Sequence, residues 1–368
     1  MDKAAYLLAL SRIEGVGAIT LRRILEAVDD VCDIFSNPAI LEGVAPALYR
    51  RVVSHLSLPE LLESAEREIK EARRKHIYTF GLGDTDYPQL LAECADPPPA
   101  FFYIGNREAL HSPHCISVVG TRRASRYGLK AVEVLLEDLA NKVPDLVVIS
   151  GLAFGIDVKA HKVALDLGIP TIGVLAHGLD RIYPAAHRNI AIEMLKNGGL
   201  LSEYSWGSKV ERHHFVGRNR IVAGLSHATL VVESAARGGS LLTAAMASGY
   251  GREVFAVPGR ITDSTSVGCN RIIASMQAVP AVNADSIISV LGWGKPNGEE
   301  EETIPSLFAP QDLPDDPVLH LILEEETIHF NDLLVRLGLS AAELSNKLFT
   351  LEFDGYIKPL PGGLYCKS

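Results

Sequence analysis

At 368 residues, with 47% hydrophobic and 22% charged side chains, the chain has room for two or three domains and a large core, which excludes a disordered chain. Its five cysteines (Cys32, Cys94, Cys115, Cys269, Cys366) lie far apart, with the spacing of neither a disulfide framework nor a zinc site, as in a reducing cytosol. Met1-Asp2-Lys3 does not open a signal peptide and no apolar run approaches the ~18 residues of a membrane span, so the expectation is a cytoplasmic protein without membrane contact.

The formal net charge of −10 argues against a polyanionic partner until its distribution is read. Residues 1–111 hold 12 Lys/Arg and 17 Asp/Glu, residues 112–291 hold 18 and 14, and residues 292–368 hold 5 and 14. Only the middle segment is cationic, and association with phosphates follows local patches rather than the whole-chain sum. An excess of this size also arises by chance, so particular residues must carry the case.

In chain order, residues 1–75 read as a domain of short helices, of the SAM or helix-hairpin-helix kind. A helix over 4–10 is followed by the turn Ile13-Glu14-Gly15-Val16-Gly17 and a helix over 19–28 with Leu21, Ile24, Leu25 and Val28 at helical spacing. Glycine amides ahead of a helix N-terminus can hold one DNA phosphate, although such modules also merely pack or bind protein. Residues 36–53 repeat the rhythm without a second glycine pair. The charged helix over 60–75 reads as a solvated connector.

Residues 76–291 read as one α/β domain. Ile77-Tyr78-Thr79-Phe80 and Phe101-Phe102-Tyr103-Ile104 are strands separated by turn residues. From Cys115 onward, apolar strands (116–119, 146–149, 171–175, 229–232, 254–257) alternate with helices (127–140, 157–167, 188–196, 221–225, 241–250), ending at a short strand near Val279 and a helix over 284–291. This alternation predicts a Rossmann-like, doubly wound, mostly parallel sheet covered on both faces. Residues 292–312, with a Glu299-to-Glu302 run, read as a linker. Residues 313–368 predict a winged helix: helices over 317–323, 330–337 and 341–353, then a hairpin around Pro361-Gly362-Gly363.

Each parallel strand ends in glycine or polar residues, where open α/β sheets bind ligands. After the first come Gly120-Thr121-Arg122-Arg123-Ala124-Ser125: the glycine allows close approach, Thr121 and Ser125 can donate or cap, and Arg122 can reach a phosphate. The glycine spacing is not that of a dinucleotide fingerprint. After the second strand come Ser150-Gly151 and, further on, Asp157 and His161, four apart on one helix face. They form either an acid/base pair or a helix-start carboxylate with a separately bonded histidine. Phe215 with Arg218, Asn219 and Arg220 has the make-up of a single-strand site, an aromatic to stack a base and arginines to track phosphates. The opposing reading places Phe215 in the core and pairs the arginines with Glu203 and Glu233. Gly238-Gly239-Ser240 at a helix start forms an anion nest with Thr243 beside it, and suits a small phosphate equally well.

Gly120-Thr121-Arg122, the 150–157 run with His161, Gly178-Leu179-Asp180 with Tyr183-Pro184, Ser202-Glu203-Tyr204, Arg218-Asn219-Arg220, Gly239-Ser240 with Thr243-Ala244, and Val257-Pro258-Gly259 together resemble, in order, the DNA-processing protein A family (also called Smf). The resemblance extends over essentially the whole chain. It implies a mediator of natural transformation that binds single-stranded DNA without catalysis on the Rossmann-like domain, dimerises through that domain and loads the RecA recombinase, with single-strand binding protein as a further partner. It implies no cofactor, metal or catalytic residue. By matching position, Arg122 and the segment leading to Arg218-Asn219-Arg220 would touch DNA. The expected DNA-binding set is Gly120, Thr121, Arg122, Ser150, Gly151, Phe215, Arg218, Asn219, Arg220, Gly239, Ser240 and Thr243. The chain departs from the family pattern at Val216-Gly217, where proline is usual, at Gly238, where serine is common, and at 275–278, near the expected dimer surface.

The winged helix is read on its own charge. Residues 311–368 carry 4 Lys/Arg against 10 Asp/Glu, which phosphates repel, so a protein-contact role is expected. The competing function is a nucleotide phosphoribohydrolase of the related fold, using Asp157/His161 or Glu233; the chain lacks the Pro-Gly-Gly-plus-Thr loop with downstream Glu that such enzymes carry. A nuclease would need a metal-binding carboxylate cluster, which the sequence does not offer.

Overall fold

A computed structural model of the chain describes residues 3–28, 30–55, 58–293, 314, 316–325, 327–360 and 362–367. They fall in two compact units, residues 1–295 and 296–368. Most of the expected linker lies outside the described residues. Its first part does not: Trp293 is buried, with its ring edge-on to His114 at 5.2 Å and to His227 at 5.7 Å.

The first unit opens with α1 (Lys3–Ser11), α2 (Ala18–Ala27), α3 (Asp33–Ser36), α4 (Leu41–Val44), α5 (Pro46–His55) and α6 (Leu58–Arg74). Helix α1 is apolar all round and buried from Ala4 to Leu10, and Gly17 stands at the N-cap of α2. The charged helix α6 is not a solvated connector. Ala65, Ile69 and Ala72, at i, i+4 and i+7, are buried in the same core as α1, a stripe at helical period. Burying Ile69 alone contributes about 1.5–3 kcal/mol. On its outer side Glu68 accepts from the Arg12 guanidinium and from the Trp206 amide, the latter at 2.9 Å. This core continues into Ala100 and Phe102 of the sheet, so the helical segment is packed on the α/β body.

That body runs β1 (Tyr78–Gly81), α7 (Gln89–Ala92), β2 (Ala100–Gly105), β3 (His114–Val119), α8 (Arg126–Lys142), β4 (Leu146–Ser150), α9 (Ile156–Asp166), β5 (Thr171–Val174), α10 (Arg188–Met194), β6 (Gly199–Ser202), α11 (Arg212–Gly224), β7 (Ala228–Val231), α12 (Gly239–Gly249), β8 (Glu253–Ala256), α13 (Val267–Ala274), β9 (Val279–Pro280) and α14 (Ala284–Leu291). The nine-stranded sheet has the order β1-β2-β6-β5-β4-β3-β7-β8-β9. β2 pairs antiparallel with β1 and β6, and every pair from β6 to β9 is parallel. Alternate residues face opposite sides, as strand geometry requires. Val119, Val147, Ile149 and Val231 pack with α11, α12 and α13 on one face. Ile116, Val118, Val148 and Leu230 pack with α8, α9 and α14 on the other.

Within the α/β body, two helices differ from the pattern-based expectation. Helix α11 is continuous from Arg212, whereas the sequence suggests a helix only from Ile221; packing of Ile221, Val222 and Ala223 against the core outweighs the low propensity of Val216-Gly217. Helix α13, unanticipated, buries Cys269 and Ile272.

The second unit comprises α15 (Pro317–Glu324), β10 (Thr327–His329), α16 (Phe330–Leu337), α17 (Ala341–Phe353), β11 (Ile357–Leu360) and β12 (Leu364–Lys367). A capping box between Ser340 and Glu343 starts α17. The expected hairpin is a three-stranded sheet, β10-β12-β11, because Thr327–His329 pairs with β12; three residues are too few to show alternation. The whole is a winged helix.

Candidate nucleic-acid interface

The strand order places β3 at a reversal: β4, β5 and β6 extend to one side of it and β7, β8 and β9 to the other. The crevice beyond the carboxyl ends of β3 and β7 is where open α/β sheets take ligands. A cavity of about 550 Å³ opens there. One wall is the loop after β3, with Gly120, Thr121 and Arg122; a second is α11, with Arg212, Phe215, Val216 and Asn219; a third is the start of α12, with Gly239, Ser240 and Thr243. Arg218 and Asp157 form its floor and Tyr183 reaches over from the loop after β5.

Each wall has a local cause. Gly155 sits at φ +80, and a Cβ there would meet the Thr121 carbonyl at 2.2 Å; only glycine lets the loop after β4 press on the loop after β3. The far end of that loop is fixed by Glu233, which accepts from the Ser125 amide at 2.8 Å, the Ser125 hydroxyl at 2.7 Å and the Thr265 hydroxyl at 3.0 Å. Glu233 is therefore a structural acceptor that orients no arginine. Arg122 is exposed, with its guanidinium carbon 5.3 Å from the centre of the Phe215 ring, close enough for a cation–π contact. Tyr183, 50% exposed, lies 6.1 Å from the same ring at 63°. Helix α12 begins at Gly239 behind an N-cap without a side-chain bond, so no side chain occupies the place where its first amides could receive an anion. Two buried donors in the lining, the Ser240 hydroxyl and Arg218 Nε, have no partner among the described residues.

Arg218 is 4% exposed and donates through Nη1 to the Val174 carbonyl at 2.8 Å. Its guanidinium covers Gly151 so closely that a Cβ there would meet Nη1 at 1.7 Å. Burial raises the Asp157 pKa, and the Arg218 charge opposes that shift. Arg218 is thus a floor residue.

Three expected site residues lie outside the lining. Ser150 is fully buried and donates to the Val118 carbonyl at 2.6 Å. Gly151 serves as the surface against which Arg218 lies. Arg220 is paired with Glu203 and donates to the Asp96 carbonyl at 2.7 Å; on helix α11 it points away from the face that carries Phe215, toward the body of the domain. Conversely, Arg212 lines the cavity although its position drew no attention in the sequence. Arg212, Phe215, Val216 and Asn219 stand at i, i+3, i+4 and i+7, one helix face, a signal legible only once α11 is known to start at Arg212.

Asp157 and His161 do not form an acid/base pair. His161 Nδ1 bonds the Thr171 hydroxyl at 2.7 Å, and burial drives its pKa from 6.5 down to about 3. Because the folded value lies below the unfolded one, protonation favours the unfolded chain. The associated stability is complete above pH 6.5 and is lost as pH falls toward 3. The expected loss is about 1.4 kcal/mol per pH unit inside that window, read from urea unfolding near pH 7 and near pH 5, with His161→Gln flattening the profile. One potential metal set exists among the described residues, Glu211, His213 and His214, with ligand atoms within 4.8 Å of one another. It lies outside the cavity lining.

Comparison with known proteins follows the same lines. Residues 78–292 match the family described as DNA recombination-mediator protein A, and residues 305–363 match the DprA winged helix domain. Protein Smf of Synechocystis sp. is 30% identical over 99% of this chain and 98% of its own length. The DNA processing protein DprA of Streptococcus pneumoniae is 43% identical over 53% of this chain and 68% of its own. The X-ray structure of the pneumococcal protein superposes with a TM-score of 0.62 at 33% identity, covering 78% of this chain and 98% of that one. A structure of DNA processing protein A from Helicobacter pylori, described as giving insight into its single-stranded DNA binding mode, has a TM-score of 0.52 at 29% identity, over 59% of this chain and 96% of that one. Among the described residues no helix is long and apolar enough to cross a membrane.

Proposed function

The chain belongs to the DNA recombination-mediator protein A family, and from that premise we propose that it binds single-stranded DNA in the cavity at the β3/β7 reversal, without turnover, in the cytoplasm. It protects the strand and loads the RecA recombinase onto it during DNA uptake, acting as a homodimer and displacing single-strand binding protein. The observation that carries this reading is the lining itself: three arginines, Arg122, Arg212 and Arg218, against one carboxylate, Asp157, with Phe215 and Tyr183 between them. Cations track phosphates, and an aromatic face stacks any base. The Helicobacter pylori neighbour, named for its single-stranded DNA binding, supports it.

The phosphoribohydrolase reading needs a base in the cavity. Asp157 faces the buried Arg218 and His161 is held neutral beneath the sheet, so neither is set to activate water. Incubation with nucleoside monophosphates is expected to release no free base; release would establish the hydrolase. The loading role is read from RecA assembly on a strand coated with single-strand binding protein, where the protein is expected to shorten the lag. An unchanged lag removes that role.

For the dimer, the end of α13 and the turn after β9 carry exposed apolar side chains: Met276 is 93% exposed and Val282 67%. This is the face we assign to self-association. The winged helix is assigned to protein contact. Besides its acidity, α17 holds Phe349 and Phe353 at 70% and 81% exposure, a poor surface for phosphates. Deleting residues 313–368 is expected to leave single-strand affinity within about twofold, since the cationic cavity lies wholly in the first unit; a loss of tenfold or more would place DNA contacts in the winged helix.

A further inference from the structure

A second cleft, of about 870 Å³, opens where α8 begins and the loop after β8 passes. It is lined by Arg126, Tyr127 and Arg260 together with the hydroxyls of Thr262 and Ser264. Arg126 and Arg260 are exposed and neither forms an ion pair among the described residues. Asp263 is the one carboxylate of the lining. Tyr127 is 49% exposed, yet its ring is fixed, because the phenol donates to the Pro258 carbonyl at 2.6 Å. A half-open aromatic ring held in place in a cleft that two exposed guanidinium groups also line offers a stacking platform with phosphate partners in the same lining.

The cleft shares its boundary with the first cavity. Gly120 to Arg122 line the one and Ser125 to Tyr127 the other, so the loop after β3 is a ridge between them, and exposed Arg122 and Arg123 stand on it. Glu233, directly under the ridge, is spent on Ser125 and Thr265 and leaves no free carboxylate at the crossing. Both cavities lie along the carboxyl edge of the sheet. The first takes residues following β6, β5, β4, β3 and β7; the second takes residues following β3 and β8. From β5 to β8 is four strand spacings, about 19 Å at about 4.8 Å each.

We propose that this cleft is a second subsite for the same single strand, which leaves the first cavity over Arg122–Arg123 and stacks a base on Tyr127 with its phosphates on Arg126 and Arg260. The inference rests on the reading of the first cavity as a single-strand site. It predicts a dependence on strand length: a strand of about four nucleotides is held by the first cavity alone, and one of about sixteen engages both.

The test is fluorescence anisotropy with a short and a long homopolymeric strand of about those lengths, on the full chain. Arg126→Ala with Arg260→Ala is expected to weaken the long strand about tenfold, to lower its salt slope by about 1.4, and to leave the short strand unchanged. Tyr127→Ala is expected to weaken the long strand while Tyr127→Phe, which keeps the ring, retains most of the affinity. Long-strand affinity and slope unchanged in the double variant, with Arg122→Ala still weakening both lengths, would overturn the second subsite alone. Equal weakening of both lengths would overturn it too, since the cleft would then not be an extension. If Arg122→Ala changed neither length, the reading of the first cavity would fail instead.

Discussion

Arg218→Ala lowers the free energy of unfolding by about 1–3 kcal/mol. The substitution removes the cation that most opposes the raised pKa of buried Asp157, leaves the Val174 carbonyl without its donor, and empties the space over Gly151. The main costs are the buried carbonyl left without a donor and the emptied space, since Asp157 keeps the Ala153 amide at 3.4 Å and the Arg122 charge. Arg218→Lys does not restore the loss, because an ammonium cannot reproduce a planar group laid flat on a glycine. Urea unfolding of the three proteins at neutral pH reads the effect. A change below about 1 kcal/mol would mean that Arg218 is kept for a ligand and not for the fold. The consequence for binding studies is direct: weak DNA binding by Arg218→Ala reports a damaged floor, so the residue cannot be used to map contacts.

Arg122→Ala combined with Phe215→Ala is the variant that maps them. Arg122 is exposed and Phe215 only half-buried, so the fold is expected to keep its stability to within about 1 kcal/mol. Loss of a stacking ring removes about 1–3 kcal/mol per base and loss of one phosphate contact lowers the salt slope by about 0.7. Together they weaken single-strand binding about a hundredfold or more. The two residues touch through the cation–π contact, so the double variant falls short of the sum of the singles. Equal affinity in the double variant would remove the cavity from the binding site.

The fold was largely legible because its signals are long and regular. Uninterrupted apolar strands separated by amphipathic helices announce a parallel sheet, and the register alternation of β3 and β4 follows from it. What could not be read depended on packing at a distance. The charged helix α6 buries only small residues and one isoleucine, a stripe that its charges outnumber in the sequence. The start of α11 is hidden by valine and glycine, so the sequence shows neither that Arg212 shares a face with Phe215 nor which of the two readings of Arg220 holds; the structure pairs it with Glu203. Glu233 is similar: nothing local tells that its partners are a helix cap and a threonine beyond β8. Strand-end loops could be located from sequence, whereas the direction of each side chain along α11 required the helix phase.

The central claim is that the cavity at the β3/β7 reversal is made for a single strand, and it is tested most directly by a salt-titrated comparison of single-stranded and duplex DNA of one length, with unmodified protein and with Arg122→Ala. The account predicts tighter binding of the single strand at every salt concentration, because stacking on Phe215 and Tyr183 needs unpaired bases, and a slope for the single strand that falls by about 0.7 in the variant. Equal or tighter binding of duplex, with a slope indifferent to Arg122, would contradict it.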